Sequence, residues 1–379
     1  MSDASGDAAA AGGSRRPRWL QWTVLAVAVL VGGVAGGLIV AATDSSSSPS
    51  SSSGACAATS VADRVLPSVV TISATRGSSG GTGSGEIIRS DGYILTNNHV
   101  VSVAANGGSV EVLFSDGTTA PATITGRDPQ TDLAVIKVSV RKSLPVIPFG
   151  SSSNVRVGEP VVALGAPLGL ASTVTSGIVS ALDRTIEVPG DNGQSALLVS
   201  AIQTDAAINP GNSGGALTDC SGNLIGVPSA GASVPNESGQ SSAGNVGLGF
   251  AIPVNLAKSV SDELIATGSV THSYFGVEVD QIPAAAARQA GTSEGLYVVA
   301  VVPAGPSARA GLRSGDVITE IDGEAATDPT QLAAITLTKK PGDQVSITYQ
   351  RDGRSATTTV TLGAQPSSVA TASGGSSTS

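Results

Sequence analysis

The chain has 379 residues, about twice the length of an average domain, which predicts two domains with additional tails. Its 20 Lys and Arg against 29 Asp and Glu, together with only ten aromatic residues, argue against a nucleic-acid-binding surface. A zinc site would need nearly all of the two Cys and two His brought together from distant positions, so we expect no metal and no cofactor.

An apolar segment without formal charge occupies residues 19–43, and three arginines lie just before it. A helix of this length can span a membrane, and the arginines place its N-terminus in the cytoplasm. Val40-Ala41-Ala42 resembles a signal-peptide cleavage site, but the apolar run is too long for a signal peptide, which favours a retained anchor. We predict a cytoplasmic tail at 1–18, a single transmembrane helix at 19–43, as in a bacterial plasma membrane, and an extracytoplasmic remainder.

Serine dominates residues 44–57, which predicts a flexible linker, and the tail at 364–379 has a similar composition. Short apolar segments separated by Gly, Asn and Asp turns follow the linker and predict an all-β domain at 58–268. The predicted strands are 69–75, 84–89, 93–96, 110–114, 122–126, 133–138, 160–165, 174–182, 198–204, 224–227 and 249–252.

A helix is predicted next, because Leu256, Val260 and Leu264 recur every four residues before Gly268. The pattern then changes to a smaller mixed unit at 272–363. Its predicted strands are 296–301, 317–321, 344–350 and 357–362, with a helix that begins after Asp328 and Pro329 and continues through Ile335.

A serine lies among glycines in Gly211-Asn212-Ser213-Gly214-Gly215. Glycines allow a tight turn that presents the hydroxyl and directs successive backbone N–H groups toward one point. The string also fits the nucleophile elbow of α/β-hydrolases, which needs a strand before it and a helix after it. Asn209-Pro210 precedes the string and residues 216–227 predict strand, turn and strand, so the context contradicts an elbow.

A serine hydroxyl needs a neighbouring base to become a good nucleophile, and this base is usually a histidine. His99 follows the apolar strand at 93–96, where a side chain can be held rigidly. His272 lies at the domain junction and is interpreted as a linker residue. His99 is therefore the candidate base.

The base needs an orienting carboxylate, and Asp132 begins the buried strand at 133–138. Asp128 precedes Pro129 and Asp116 precedes Gly117, which are ordinary turn patterns. The candidate triad follows the chain order His99, Asp132, Ser213, as in chymotrypsin-like proteases.

With these motifs in place, the chain resembles the HtrA (Deg) family of serine proteases over residues 61–362. The resemblance rests on Thr96-Asn97-Asn98-His99-Val100-Val101, residues 132–138, Asn209-Pro210-Gly211-Asn212-Ser213-Gly214-Gly215-Ala216-Leu217 and Gly247-Leu248-Gly249-Phe250-Ala251-Ile252-Pro253. It implies a mainly β fold, in which a chymotrypsin-like double β-barrel protease domain precedes a small α+β PDZ domain.

The resemblance also implies functional residues around the nucleophile. The backbone N–H groups of Gly211, Asn212 and Ser213 would form the oxyanion hole. Ile208 would line the S1 pocket, with a preference for small aliphatic P1 side chains. Residues 189–195 and 234–245 would be regulatory loops.

In the second unit, Tyr274, Phe275, Gly276 and Val277 resemble the loop of a PDZ domain that binds a terminal carboxylate. C-terminal peptides would bind there by adding a strand beside the loop. The short Gly-rich stretch 77–83, where other members carry a long loop, favours a homotrimer over larger assemblies.

Cys56 and Cys220 both lie outside the membrane in the predicted topology, where disulfides persist. We hypothesise that they pair. The alternative is two unpaired thiols.

The predicted function is that of a membrane-anchored serine endoprotease that acts on unfolded or damaged proteins, as in stress-related protein quality control, or on a regulatory membrane protein. A different class of function is a non-catalytic PDZ scaffold or chaperone-like holder. A scaffold has no need of the triad residues. An α/β-hydrolase esterase with His272 as its base is the third alternative, which the sequence context contradicts.

Overall fold

The computed structural model describes residues 56–139, 143–166, 173–190, 195–231, 247–290 and 293–366. The predicted cytoplasmic tail, transmembrane helix and most of the linker lie outside these ranges, as do the predicted loop at 234–245 and most of the C-terminal tail. Within the described ranges, no helix is both long and apolar enough to cross a membrane.

The first barrel is built from six antiparallel strands. These are Val69–Arg76 (β1), Ser79–Ile87 (β2), Tyr93–Asn97 (β3), Ser109–Leu113 (β4), Thr119–Asp128 (β5) and Leu133–Val138 (β6). They close in the order β1-β2-β3-β6-β5-β4.

The second barrel is also built from six antiparallel strands. These are Pro160–Gly165 (β7), Thr173–Pro189 (β8), Ser195–Thr204 (β9), Ala216–Thr218 (β10), Leu224–Gly231 (β11) and Gly249–Pro253 (β12). They close in the order β10-β11-β12-β9-β8-β7, so the predicted double barrel is confirmed.

Each barrel has its own apolar core, and a further core lies between the barrels. On β6, Ala134 and Ile136 point into the first barrel, whereas Leu133 and Val135 belong to the cluster shared with the second. Successive side chains of a strand face opposite sides, so this strand is buried on both faces. This explains why residues 133–136 are continuously apolar rather than alternating.

In the described part of the chain, the α-helices that accompany the barrels are Ala58–Val65 (α1), Asn98–Val101 (α2) and Val254–Thr267 (α3). Helix α3 ends one residue before Gly268, as predicted, and buries Val260 and Leu264. His99 was predicted at the end of a strand but lies in α2, because the chain turns into a short helix directly after β3.

The two ends of the PDZ domain pair with each other through two short antiparallel strands, Ser273–Tyr274 (β13) and Gly363–Ala364 (β20). Its sheet contains Val277–Ile282 (β14), Gly295–Val301 (β15), Val317–Ile321 (β16), Glu324–Ala325 (β17), Gln344–Arg351 (β18) and Arg354–Thr361 (β19). Its helices are Ala284–Ala290 (α4), Pro306–Arg309 (α5) and Thr330–Thr338 (α6).

The predicted PDZ fold is confirmed, and Leu296, Ile318 and Ile347 are among the residues of its core. Strand β14 was not predicted. Its side chains are intermediate or exposed along its length, so it lacks the apolar run that marks a buried strand.

A disulfide bond joins Cys56 to Cys220 across 164 residues. It connects the segment before α1 to the turn that follows β10. The guanidinium group of Arg64 in α1 donates a hydrogen bond to the carbonyl oxygen of Ser221 in the same turn. Two contacts therefore hold α1 against the second barrel.

His272 and Asp128 differ from their sequence-based interpretations. His272 is 6% exposed and its Nε2 lies 2.9 Å from Oδ1 of Asp128, which is 4% exposed. The linker assignment of His272 and the simple turn assignment of Asp128 are therefore incomplete. Both side chains are buried where the PDZ domain meets the first barrel.

Candidate active site

His99 and Asp132 come together because β3 and β6 are neighbouring strands. Asn97, the last residue of β3, pairs with Leu133, the first residue of β6. His99 lies two residues after Asn97 and Asp132 directly precedes Leu133, so both lie at the same end of the first barrel. His99 Nδ1 is 2.9 Å from Oδ2 of Asp132.

Asp132 is buried and held from several directions. Its Oδ1 accepts the backbone N–H of His99 at 3.0 Å, and its carbonyl oxygen accepts the Nδ2 group of Asn97 at 2.9 Å. Asp132 has a φ of +56°, a left-handed conformation that Asp adopts more readily than most non-glycine residues because its short side chain can hydrogen-bond locally. The site thus supports a carboxylate placed to orient an imidazole.

Ser213 reaches the same place from the second barrel. Its carbonyl oxygen accepts the backbone N–H of Ser84, in β2, at 2.8 Å. The hydroxyl of Ser84 donates to the carbonyl oxygen of Gly211 at 2.6 Å and accepts the N–H of Ala166 at 2.8 Å. Ser84 therefore fastens the loop that carries Ser213 onto the first barrel.

Two glycines permit this close contact between the barrels. A Cβ on Gly83 would lie 2.6 Å from a methyl carbon of Val100 and 3.0 Å from the carbonyl oxygen of Ser213. A Cβ on Gly214 would lie 2.4 Å from the carbonyl oxygen of Ser84, and Gly214 has a φ of +78°. Any larger residue at either position would push the two halves of the site apart.

Ser229 connects the serine to the His–Asp pair. Its hydroxyl donates to Oδ2 of Asp132 at 2.6 Å, and its carbonyl oxygen accepts the hydroxyl of Ser213 at 3.2 Å. The β11–β12 register shifts between Pro228 and Ala230, so Ser229 is the extra residue of a bulge. A bulge redirects a side chain out of the regular ladder, which explains how a strand residue reaches the site.

The three predicted oxyanion-hole donors differ in whether their backbone N–H groups already make a hydrogen bond. The N–H of Asn212 donates to the carbonyl oxygen of Asn209 at 3.0 Å, so it closes a turn. Among the described residues, the N–H groups of Gly211 and Ser213 have no acceptor. The oxyanion-hole roles of Gly211, Asn212 and Ser213 stay predictions, and Gly211 and Ser213 are the two whose N–H groups are unoccupied among the described residues.

Ile208 is 4% exposed and belongs to the apolar cluster of the second barrel, with Gly249 packed against it. Its predicted role in the S1 pocket stays a prediction. The stretch after Ser213 continues as β10 rather than as a helix, which agrees with the rejection of an α/β-hydrolase elbow.

In the PDZ domain, Tyr274 ends β13 and Val277 begins β14, so the four predicted loop residues connect these two strands. The carbonyl oxygen of Phe275 accepts the N–H and the hydroxyl of Ser307, whereas the N–H groups of Phe275 and Gly276 have no acceptor among the described residues. Strand β14 is the edge of its sheet, beside this loop. An edge strand next to unpaired N–H groups is suited to binding a terminal carboxylate and the strand attached to it.

A buried carboxyl group was not anticipated from the sequence. Glu86 in β2 is fully buried, and neither carboxyl oxygen has a hydrogen-bond partner within the described part of the chain. Burial raises the pKa of Glu86 well above its ordinary value. Its register partners, Val69 and Leu95, belong to the cluster between the barrels, so it faces apolar side chains.

The described residues contain no cluster of three or more His, Cys, Asp or Glu side chains that could hold a metal ion. The chemistry available at the site is that of a serine hydroxyl, an imidazole, a carboxylate and backbone N–H groups. These are the parts required for acyl transfer.

Comparison with known proteins agrees with this fold and site. Residues 83–227 match the family of trypsin-like peptidase domains, and residues 273–362 match the PDZ domain family. The chain is therefore a protein of the class in which a trypsin-like peptidase domain is followed by a PDZ domain.

Two similar solved structures indicate which family of trypsin-like peptidases the chain belongs to. The chain is 35% identical to a solved structure described as HtrA-type protease AlgW with decapeptide, with a TM-score of 0.64, and the match covers 82% of this chain and 99% of the other. A serine endoprotease structure from Yersinia pestis is 32% identical with a TM-score of 0.59, and covers 82% of this chain and 98% of the other. The chain belongs to the HtrA family of serine proteases.

Curated relatives are longer than this chain. Serine protease PepD of Mycobacterium tuberculosis (strain ATCC 25618 / H37Rv) is 44% identical over 310 residues, which are 80% of this chain and 65% of PepD. A probable periplasmic serine endoprotease, DegP-like, of Brucella suis biovar 1 (strain 1330) is 42% identical over 75% of this chain and 53% of its own length. The chain thus spans about half to two thirds of these relatives.

Proposed function

We propose that this protein is an extracytoplasmic serine endoprotease in which Ser213 is the nucleophile, His99 the general base and Asp132 the residue that orients His99. The observation that supports this most directly is the contact of the Asp132 carboxylate with both His99 and Ser229, while Ser229 also binds the hydroxyl of Ser213. The three candidate residues therefore belong to one connected hydrogen-bond network that spans both barrels.

In the proposed reaction, the hydroxyl oxygen of Ser213 attacks the scissile carbonyl carbon while Nε2 of His99 accepts its proton. The developing oxyanion accepts the N–H groups of Gly211 and Ser213. Protonated His99 then gives the proton to the leaving amine, and the C–N bond breaks to leave an acyl-enzyme. A water molecule, activated by His99, hydrolyses the ester and releases Ser213.

The test is cleavage of an unfolded model protein by the chain and by its Ser213→Ala variant, with Ser355→Ala as the matched control at an exposed serine. We expect the control to match the wild type and Ser213→Ala to lose cleavage by a factor of about 1,000 or more. A fluorophosphonate probe should label the wild type and the control but not Ser213→Ala. Full cleavage by Ser213→Ala would exclude the proposal. Loss of cleavage and labelling in all three would favour a PDZ scaffold or chaperone-like holder.

We also propose that the PDZ domain binds hydrophobic C-terminal peptides at Tyr274, Phe275, Gly276 and Val277 and regulates cleavage. The edge position of β14 supports this assignment, as do the N–H groups of Phe275 and Gly276, for which the described part of the chain offers no acceptor. Titration with a peptide ending in Val, and with the same peptide amidated at its C-terminus, tests it. We expect amidation to abolish binding, because the loop would bind a carboxylate. Equal affinity for both peptides would contradict it.

The arrangement in the membrane and the assembly are further proposals. We propose that residues 19–43 anchor the chain in a bacterial plasma membrane, that 44–57 act as a linker, and that 58–268 and 272–363 are the two extracytoplasmic domains in a homotrimer. Curated relatives named as periplasmic proteases support an extracytoplasmic location. Sedimentation with membranes, protease accessibility in spheroplasts and light scattering of the detergent-solubilised chain would test anchor, topology and trimer separately.

The proposed substrates are unfolded or damaged proteins, or a regulatory membrane protein, cut after small aliphatic residues. The apolar surroundings of Ile208 support this specificity. A peptide series that varies only the P1 residue tests it, with Val expected above Phe, Lys and Asp. The replacement Ile208→Ala should raise cleavage after Phe relative to Val. An unchanged ratio would remove Ile208 from the pocket.

A further inference from the structure

A second His–carboxylate pair lies at the base of the turn that carries Asp132. Asp128 ends β5 and Leu133 begins β6, so residues 129–132 form the connection between these paired strands. The partner of Asp128 is His272, which is 144 residues away and directly precedes β13 of the PDZ domain. The turn of the triad aspartate is therefore bound by a residue from the start of the PDZ domain.

The Asp128 carboxylate also organises the turn from inside. Its Oδ1 accepts the backbone N–H of Gln130 at 3.3 Å, and its Oδ2 accepts the hydroxyl of Thr131 at 2.5 Å. His272 holds the same carboxylate at 2.9 Å. Asp132 is the last residue of this turn and directly follows Thr131, so its placement depends on how firmly the preceding residues are held.

A second contact joins the turn to the other end of the PDZ domain. The amide Nε2 of Gln130 donates to Oε1 of Gln365 at 3.1 Å, and the backbone N–H of Gln365 donates to the carbonyl oxygen of His272 at 2.9 Å. The carbonyl oxygen of Gln130 accepts the N–H of Leu197, in β9 of the second barrel, at 3.0 Å. The turn thus contacts both ends of the PDZ domain and the second barrel.

We propose that His272 is a positioning residue for catalysis, which acts through Asp128 and the turn to fix Asp132, and through Asp132 to orient His99. This inference rests on the proposed function, since it assumes that His99 and Asp132 serve Ser213. Tyr274, in the predicted peptide-binding loop, lies two residues after His272. The same contact therefore gives the PDZ domain a physical route to the triad aspartate.

The experiment compares turnover of a peptide substrate by the chain with wild-type sequence, His272→Ala, His272→Gln and the neighbouring control Thr271→Ala. Glutamine can place an amide N–H near the position of the imidazole Nε2, whereas alanine leaves the buried Asp128 carboxylate without this donor. We expect His272→Ala to lower kcat by about tenfold with KM within twofold, because misplacing a catalytic group affects the chemical step. His272→Gln should recover most of kcat, and Thr271→Ala should equal the wild type.

Circular dichroism and binding of a C-terminal peptide show whether each variant keeps its fold and its PDZ domain. If His272→Ala does not fold, Gln130→Ala provides the second measurement, because it removes the contact with Gln365 without leaving a buried charge unpaired. It should lower kcat by about threefold with KM unchanged, a smaller effect because only a neutral hydrogen bond is lost.

Several outcomes would overturn the inference. Wild-type kcat in a folded His272→Ala protein would do so, as would equal losses in His272→Ala and His272→Gln. Wild-type kcat in Gln130→Ala would do so where His272→Ala is unfolded. The Ser213→Ala variant distinguishes failure of the positioning role of His272 from failure of the proposed function, because cleavage by Ser213→Ala would exclude the triad itself. Loss of cleavage in Ser213→Ala with full activity in His272→Ala would retain the triad and exclude the positioning role.

Discussion

The hydroxyl of Ser229, from the second barrel, donates a 2.6 Å hydrogen bond to Asp132 of the first barrel. The partner of a candidate triad aspartate therefore comes from the opposite half of the fold, across the surface where the barrels meet. The orientation of Asp132 relative to His99 depends on the correct packing of both barrels. This relationship makes Ser229 a sensitive position for testing the site.

We expect Ser229→Ala to lower kcat by about tenfold or more, with little change in KM. A hydrogen bond to a charged group contributes about 1.5–3 kcal/mol, and about 1.4 kcal/mol corresponds to a factor of ten in rate. Steady-state kinetics with a peptide substrate measures the effect, and Ser221→Ala, in a surface turn, is the control. A kcat equal to that of the wild type would show that Ser229 does not help to hold the carboxylate.

Gly214→Ala should disrupt the site by contact as well as by backbone strain. The added methyl group would meet the carbonyl oxygen of Ser84 and Oγ1 of Thr96, each at 2.4 Å. Gly117 also has a positive φ, of +80°, but with no atom within 4 Å of an added Cβ. Gly117→Ala should therefore cost only about 1–2 kcal/mol of backbone strain.

We expect Gly214→Ala to abolish cleavage and to lower the free energy of unfolding by more than Gly117→Ala does. Urea denaturation and peptide cleavage measure the two effects. Equal destabilisation in both variants, with activity retained in Gly214→Ala, would show that the loop relaxes around the methyl group without moving Ser213.

Removal of the Cys56–Cys220 disulfide should destabilise the protein. The bond closes a loop of 164 residues, and the loop-entropy relation gives an upper limit of about 5 kcal/mol for such a length. Urea denaturation with and without reductant measures the change, and the double variant Cys56→Ser/Cys220→Ser should behave like the reduced wild type. A thiol assay that finds two free thiols in the unreduced protein would contradict the pairing.

Glu86 predicts that stability depends on pH in a direction opposite to that of a salt-bridged carboxylate. Burial raises its pKa in the folded protein, so below about pH 4.5 both the folded and the unfolded state hold the proton and Glu86 contributes no pH dependence. Above that pH the unfolded state ionises first, so the free energy of unfolding falls by up to about 1.4 kcal/mol per pH unit until the folded-state pKa is passed.

The variant Glu86→Gln has no proton to lose at this position. Between pH 5 and pH 8 its free energy of unfolding should therefore fall less than that of the wild type. Glu111→Gln, at an exposed position of β4, is the matched control and should follow the wild-type curve. Urea denaturation at both pH values measures the difference. Parallel curves for the wild type and Glu86→Gln would show that Glu86 is ionised in the folded protein.

Much of the fold and the outline of the site could be predicted from local sequence. Strands at 133–138 and 160–165 were predicted at their observed bounds, because each is a short apolar run between turn residues. His99, Asp132 and Ser213 were singled out because each lies in a distinctive local string. Ser84 and Ser229 were not, because each is a serine in a strand with nothing in its neighbours to indicate a partner.

The sequence by itself determined the mainly β fold class, the positions of most strands along the chain and the residue types available for chemistry, since these follow from short-range patterns of apolar, turn and polar residues. The tertiary structure decided which distant groups share a hydrogen bond: Ser229 with Asp132, and His272 with Asp128. It also decided that Glu86 is buried between two barrels, with no hydrogen-bond partner for its carboxyl oxygens among the residues that the structure describes. Such contacts depend on the packing of elements far apart in the chain, and local periodicity carries no information about that packing.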